Sequence, residues 1–176
     1  GCNTVIWTRG NEVFRITPRE NNEVNSSWMP DSHRLNFHYL HAETRLGDPF
    51  VKIGSKHEIS DWPGAIAKTA EELSRFKGEE VAVIGSGRMT NEELYLLRRL
   101  ADTLETDLLS LVPRVGESDG KLISADRNPN TSGAKLIWAS RNPYAKLESI
   151  RQGVVTGKIK ALIVFYEDLL GDAQFK

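Results

Sequence analysis

The spacing of apolar and polar residues changes near residue 60 of this 176-residue chain. Before that point, short β-rich runs come in two pairs, and the first pair is joined by Arg9-Gly10-Asn11, a turn typical of a β-hairpin. Between the two pairs, Asp31 is suited to cap a short helix over residues 32–41. The paired runs are residues 4–8 with 12–17, and residues 50–53 with 57–59. We therefore expect a small β-rich segment over residues 1–59.

Beyond residue 60, segments with helical spacing alternate with continuous apolar runs of the kind buried on both faces of a parallel sheet. Ser60 is the expected cap of the first helix, and Thr90 with Glu93 forms the sequence of a capping box before the second. A long connection covers residues 113–133, and a further helix is predicted over residues 144–152. The predicted strands are residues 81–84, 108–111 and 159–165. This order predicts an α/β fold, with a Rossmann-like doubly wound parallel sheet in a domain over residues 60–176.

Composition narrows the function classes. Hydrophobic residues make up 39% and charged residues 27%, which is ordinary for a globular protein. A formal net charge of −1 gives no electrostatic reason to expect a nucleic-acid partner. No apolar run approaches the roughly 20 residues that a membrane helix needs, so we expect no direct membrane insertion. The single cysteine excludes an internal disulfide and is typical of a reducing compartment.

One glycine-rich turn is a candidate cofactor site. It follows a predicted strand and precedes a helix, so backbone N–H groups and a helix N-terminus would face a phosphate there. The candidate cofactor-binding residues are Gly85, Ser86, Gly87, Thr90 and Asn91. The alternative is a tight turn into a helix, because the third glycine of a dinucleotide fingerprint is missing. Glu92 and Glu93 also occupy the first helical turn, where their charge competes with a phosphate.

No catalytic or metal-binding constellation is evident in the sequence. His33, His38 and His41 lie on one predicted helix, and the last two could share a face. A zinc ion needs three or four protein ligands, which no nearby pattern clearly supplies. Asp31 and Glu43 are the available carboxylates. The chain also lacks a Ser-His-Asp order, an HExxH motif and a P-loop.

Several short motifs occur together in a recognisable order. They are Gly1-Cys2-Asn3, Pro18-Arg19-Glu20-Asn21, Trp28-Met29-Pro30-Asp31-Ser32-His33-Arg34-Leu35, Thr90-Asn91-Glu92-Glu93-Leu94-Tyr95, Asn128-Pro129-Asn130-Thr131-Ser132-Gly133-Ala134 and Gly157-Lys158-Ile159-Lys160-Ala161-Leu162. The chain resembles the molybdopterin oxidoreductase superfamily. The last two motifs favour its NADH–quinone oxidoreductase branch, in which the chain resembles the large iron–sulfur subunit of the bacterial complex.

The resemblance also identifies what the chain lacks. It implies that Cys2 stands at the third cysteine position of an iron–sulfur cluster, with two earlier cysteines placed before Gly1. The fourth cysteine position is taken by Pro30, and a usually basic position by Ser32. Because a four-iron cluster needs four ligands, Cys2 is expected to be only a vestigial ligand. We expect no cofactor in this segment and iron–sulfur clusters elsewhere in the parent protein.

The resemblance implies a fragment of a respiratory-complex subunit, whose parent complex is an enzyme although the fragment is not itself catalytic. Its role would be a scaffold in the cytoplasmic electron-transfer arm, peripheral to the inner membrane, with other subunits as partners. One alternative is a fragment of an active molybdenum or tungsten bis-pterin oxidoreductase such as formate dehydrogenase. A second alternative is a stand-alone nucleotide-binding module that uses the turn at residues 85–87.

Overall fold

A computed structural model describes residues 2–120 and 123–171 and divides the chain into two compact units, Gly1–Ala65 and Ile66–Lys176. The first unit contains the strands β1 (Thr4–Arg9), β2 (Glu12–Pro18), β3 (Phe50–Ile53) and β4 (Lys56–Ile59) and the helix α1 (Asp31–Arg34). Helix α2 (Trp62–Leu73) crosses the division along the chain. The second unit contains β5 (Val81–Gly85), α3 (Asn91–Thr103), β6 (Leu109–Leu111), α4 (Thr131–Ile137), α5 (Leu147–Val155) and β7 (Ala161–Val164).

Both hairpins predicted in the first unit are confirmed. Strands β1 and β2 pair antiparallel, with Thr4 opposite Pro18, and β3 pairs antiparallel with β4. The first turn contains Gly10 at φ +55° and Asn11 at φ +70°. Positive φ at both central residues matches the twist of a two-residue hairpin, and glycine and asparagine are the residues that adopt it at least cost.

The single helix predicted over residues 32–41 is wrong. The structure has the short helix α1, which starts one residue earlier, and a separate 3₁₀ turn over His38–His41. Phe37 lies between them at φ −133° and is only 7% exposed. A phenylalanine side chain gains more from burial than a short helix gains from continuing, so the backbone leaves the helical region to bury it.

The second unit is built on a three-stranded parallel sheet in the order β6-β5-β7, which confirms the parallel pairing of the three predicted apolar runs. All five residues of β5 are buried. Val83 faces a cluster that includes Leu94 and Leu97 of α3, whereas Ala82 and Ile84 face a cluster that includes Ile150 of α5. This alternation follows the two-residue period of a strand, so the central strand is covered on both faces.

The helix boundaries correct three sequence expectations. Asp61, not Ser60, caps α2, because the Asp61 Oδ1 atom accepts a hydrogen bond from the Gly64 N–H at 2.8 Å. Helix α4 was missed, since its first residues belong to a stretch assigned to a connection. Helix α5 begins at Leu147 rather than residue 144, because Tyr144 lies in a turn where its N–H donates to the Asn142 Oδ1 atom.

No helix within the described part of the chain is both long enough and apolar enough to cross a membrane.

The burial of β5 predicts the effect of a charge at its centre. Val83→Asp should unfold the second unit, because a buried carboxylate without a partner costs several kcal/mol. Val164→Asp is the matched control, since Val164 lies on the edge strand β7 and is 36% exposed. Thermal unfolding followed by circular dichroism should show a large decrease in melting temperature for Val83→Asp and a small decrease for Val164→Asp. Equal melting temperatures for Val83→Asp and the wild type would contradict the buried central strand.

Candidate functional site

Close packing requires glycine at the last residue of β5, Gly85, and in the turn that follows it, Gly87. A Cβ atom at Gly85 would lie 2.5 Å from the Leu97 Cδ2 atom, and one at Gly87 would lie 2.5 Å from the Asn128 Cβ atom. Both distances are below any normal van der Waals contact, so larger residues would force their neighbours apart. Contacts within the protein are therefore sufficient to explain both glycines.

Ser86 directs its polar atoms into its own turn. The residue is fully buried, and its Oγ atom accepts a hydrogen bond from the Arg88 N–H at 3.2 Å. The Ser86 carbonyl accepts a hydrogen bond from the Met89 N–H at 3.1 Å. Two backbone N–H groups that could have faced a phosphate thus have partners inside the turn.

The N-terminus of α3 is capped by the chain itself, as the sequence predicted. The Glu93 N–H donates to the Thr90 Oγ1 atom at 3.3 Å, and the Thr90 N–H donates to the Glu93 Oε2 atom at 2.8 Å. The Tyr166 hydroxyl donates to the Glu93 Oε1 atom at 2.9 Å. The hydrogen bond from the Thr90 backbone, followed by that from Tyr166, lowers the pKa of Glu93.

Asn91 is tied to a segment that the sequence analysis did not connect with the turn. The Asn130 Nδ2 atom donates to the Asn91 Oδ1 atom at 3.0 Å and to the Met89 carbonyl at 2.8 Å. The Asn130 N–H donates to the Gly87 carbonyl at 2.8 Å. The structure thus places the five candidate residues at one edge of the sheet, where residues 128–131, which we call the covering segment, contact Gly87 and Asn91. Its sequence signal was Asn128-Pro129-Asn130, which is typical of a loop.

Asn128 joins the covering segment to the residue after β6 and to the turn before α5. The residue is 6% exposed, and its Nδ2 atom donates to the Val112 carbonyl at 2.9 Å and to the Tyr144 hydroxyl at 3.2 Å. The Tyr144 hydroxyl also shares a hydrogen bond of 2.7 Å with the Thr131 Oγ1 atom. The buried Asn128 Oδ1 atom has no hydrogen-bond partner among the described residues.

A partly buried ion pair lies at the same edge. The Arg114 guanidinium donates to the Glu167 Oε2 atom at 2.5 Å, and the Glu167 side chain is only 2% exposed against 34% for Arg114. Arg114 follows β6 and Glu167 follows β7, whereas β5 lies between those strands in the sheet. The pair therefore spans the carboxyl end of β5. No sequence motif had indicated it.

The surroundings of Cys2 in the first unit are formed by a hairpin and by loop residues. Cys2 is partly buried, and the neighbouring Asn3 N–H donates to the Asn25 Oδ1 atom at 3.0 Å. Pro30 is the residue before α1, and Ser32 is an exposed residue of that helix. The described residues contain no group of three or more His, Cys, Asp or Glu side chains that could hold a metal ion.

The histidines do not gather into a ligand set. The His41 Nε2 atom accepts a hydrogen bond from the Val13 N–H at 2.9 Å, so its lone pair is already engaged by the hairpin. The ring of His38 stacks on Phe37 with centroids 4.4 Å apart. These contacts give both side chains packing roles.

Residues 1–38 match the family model described as the NADH-ubiquinone oxidoreductase NDSU1/NuoG-like 4Fe-4S domain. The chain is 31% identical over 111 residues to the G subunit of the NADH-quinone oxidoreductase of Rickettsia felis, and 30% identical over 127 residues to that of Rickettsia conorii. The chain resembles a NuoG-type subunit. These alignments cover 63% and 72% of this chain, but only 16% and 18% of the two relatives. A putative formate dehydrogenase of Staphylococcus haemolyticus is 29% identical over 106 residues, which cover 57% of this chain and 11% of that protein.

The likeness to NuoG-type subunits raises the question of whether this chain can hold a cluster. The family model describes a 4Fe-4S domain, which implies four ligands, usually cysteines. Cys2 is the only cysteine in the sequence, and the pyrrolidine ring of Pro30 carries no ligand atom. The donor set of this chain therefore does not fit a four-iron cluster, in tension with the domain that the family model describes.

The capping role of Glu93 predicts a pH dependence. A carboxylate whose folded pKa is lowered stabilises the fold above its unfolded pKa of about 4.5, and this contribution is lost as pH falls through the folded pKa. Glu93→Gln should therefore flatten the decline in the free energy of unfolding on acidification below pH 4.5. Glu92→Gln, one position earlier in the same turn, is the matched control for the removal of one negative charge without loss of the capping hydrogen bonds. Urea unfolding at a series of pH values measures the free energy of unfolding of the wild type and both variants. Identical pH slopes for the wild type and Glu93→Gln would refute the capping role.

Proposed function

We propose that this chain is a packing element of a subunit of NADH–quinone oxidoreductase, with no cluster or pterin chemistry of its own. Residues 1–59 would form a degenerate iron–sulfur-type segment, and residues 60–176 a Rossmann-like part of a molybdopterin-oxidoreductase-like domain. Its partners would be other subunits of the cytoplasmic electron-transfer arm, which is peripheral to the inner membrane. The iron–sulfur clusters of the parent would lie elsewhere.

The composition of the cysteine region carries this proposal. A thiolate is the usual cluster ligand, and the chain supplies one, at Cys2. Pro30 carries no ligand atom, and it is the residue before α1, where its φ of −71° suits the entry into a helix. The position is therefore adapted to local folding rather than to metal binding.

The exposed apolar residues of the first unit support a packing role. Ile6 and Phe14 of the first hairpin, together with Trp28, are each about half exposed or more. Large aromatic and aliphatic side chains gain about 1.5–3 kcal/mol when they are fully buried, so such residues favour contact with further protein. A subunit within a larger assembly offers that contact.

Two alternatives stay open. The likeness to a putative formate dehydrogenase favours a fragment of an active molybdenum or tungsten bis-pterin enzyme. The turn at Gly85 and Gly87 favours a nucleotide-binding module, because it joins a buried strand to a helix N-terminus. Metal and pterin analysis of the full-length parent separates the three. Molybdenum with pterin would favour the first alternative, and bound nucleotide alone would favour the second. A parent protein that contains none of these would favour the scaffold role.

Anaerobic reconstitution tests the proposal on the chain itself. After incubation with ferrous iron, sulfide and a thiol reductant, the desalted protein should be colourless, because one thiolate is too few ligands for a four-iron cluster. Visible absorption and iron content measure the result.

Cys2→Ala is the matched control, and it should give the same low iron content as the wild type. A stoichiometric iron–sulfur absorption band in the wild type that disappears in Cys2→Ala would refute the proposal.

A further inference from the structure

The carboxyl edge of the parallel sheet is occupied by the chain's own side chains. In open α/β sheets this edge is the usual place for a ligand, beyond the ends of the strands. Here the space next to Gly87 is taken by Asn128, whose Cγ atom would lie 2.6 Å from a Cβ atom at that glycine. The Gly87 carbonyl is taken by the Asn130 N–H at 2.8 Å.

The donors of the covering segment are matched to the acceptors of the turn. Asn130 contributes its N–H and its Nδ2 group, and the turn contributes the carbonyls of Gly87 and Met89 and the Oδ1 atom of Asn91. A phosphate group only accepts hydrogen bonds and could not replace these donors. Displacement of the segment by a phosphate would therefore leave the carbonyls of Gly87 and Met89 without their partners.

The ion pair between Arg114 and Glu167 joins the segments that follow β6 and β7, the two strands on either side of β5. The Glu167 side chain is almost fully buried, so its charge is stabilised by Arg114 rather than by water. The Arg114 carbonyl also accepts a hydrogen bond from the Arg127 N–H at 2.8 Å, one residue before Asn128. The pair thus connects the end of β7, through Arg114, to the chain that leads into the covering segment.

We propose that the covering segment fills the carboxyl edge of the sheet and that the ion pair between Arg114 and Glu167 holds it there. In this position the segment excludes phosphate-bearing ligands from the turn at residues 85–87. The inference rests on the proposed function, because it gives the physical means by which a dinucleotide cofactor is kept out. It also explains why a turn of cofactor-binding type coexists with a scaffold role.

Amide hydrogen exchange on the whole chain tests whether the ion pair between Arg114 and Glu167 holds the covering segment in place. Glu167→Gln keeps the shape of the side chain but removes the charge that balances Arg114. We expect the Asn130 amide to exchange at least about tenfold faster, because local opening exposes its bond to Gly87. The Lys160 amide, which donates to the Glu80 carbonyl at the opposite end of β5, should be unchanged. Glu148→Gln, which breaks the exposed pair of Glu148 with Arg151, should change neither amide.

A second variant keeps the test decisive if Glu167→Gln unfolds and both amides accelerate together. Gly87→Ala places a methyl group against Asn128 and should accelerate exchange at Asn130 without any change of charge. The wild type should also show no resonance shift at Asn130 with millimolar inorganic pyrophosphate.

Unchanged exchange at Asn130 in the folded variants, or a pyrophosphate-induced shift in the wild type, would overturn the inference. The cluster test depends on Cys2 in the other unit, so a failure of the proposed function is distinguishable from a failure of the inference about the covering segment.

Discussion

The complete burial of β5 is the constraint on which the second unit depends. Every residue from Val81 to Gly85 is buried, and each valine or isoleucine contributes about 1.5–3 kcal/mol when fully removed from water. Because neighbouring side chains point to opposite faces, helices must cover the strand on both sides. The burial continues into Ser86 and Gly87, whose backbone groups then need partners inside the protein. Met89 supplies the partner of the Ser86 carbonyl, and Asn130 of the covering segment supplies that of the Gly87 carbonyl, so part of the closure of the edge follows from the same burial.

The first unit is held together differently. Among its described residues, the buried apolar side chains are Met29 and Phe37. The hairpins supply backbone hydrogen bonds, and Asn25 adds bonds to the Asn3 N–H and the Trp28 carbonyl. A segment of this size with so small a core usually needs a metal, disulfides or a partner surface. One cysteine excludes an internal disulfide, and the exposed aromatic residues of this unit leave apolar surface available for contact with further protein.

Features that depend on neighbouring residues were predictable from the sequence. The hairpin turn at Gly10 and Asn11, the capping box of Thr90 and Glu93, and the apolar strands all follow from local patterns. The closure of the sheet edge was not predictable in this way. Arg114 and Glu167 are separated by 53 positions, and the spacing of two charges along a chain carries no signal for their pairing.

Helix α4 illustrates the same limit of local pattern. Its start, Asn130-Thr131-Ser132-Gly133, has the composition of a turn, and such residues favour loops in isolation. Tertiary contacts decide otherwise, because the Thr131 Oγ1 atom bonds the Tyr144 hydroxyl and the Trp138 Nε1 atom donates to the Leu94 carbonyl at 3.0 Å. The five candidate residues lie close together in the sequence and could be grouped from it. The covering segment lies about forty positions further along, and only the tertiary structure shows that it contacts Gly87 and Asn91.

We propose that this chain, although it has the sequence signature of a cluster-bearing subunit, contributes no cluster ligand in the assembled protein. The most direct measurement is the iron content of the full-length parent, purified anaerobically, compared with that of the same protein carrying Cys2→Ala. Our account predicts equal iron content, because Cys2 has no role as a ligand. A loss of about four iron atoms per chain in the variant, the content of one four-iron cluster, would contradict it.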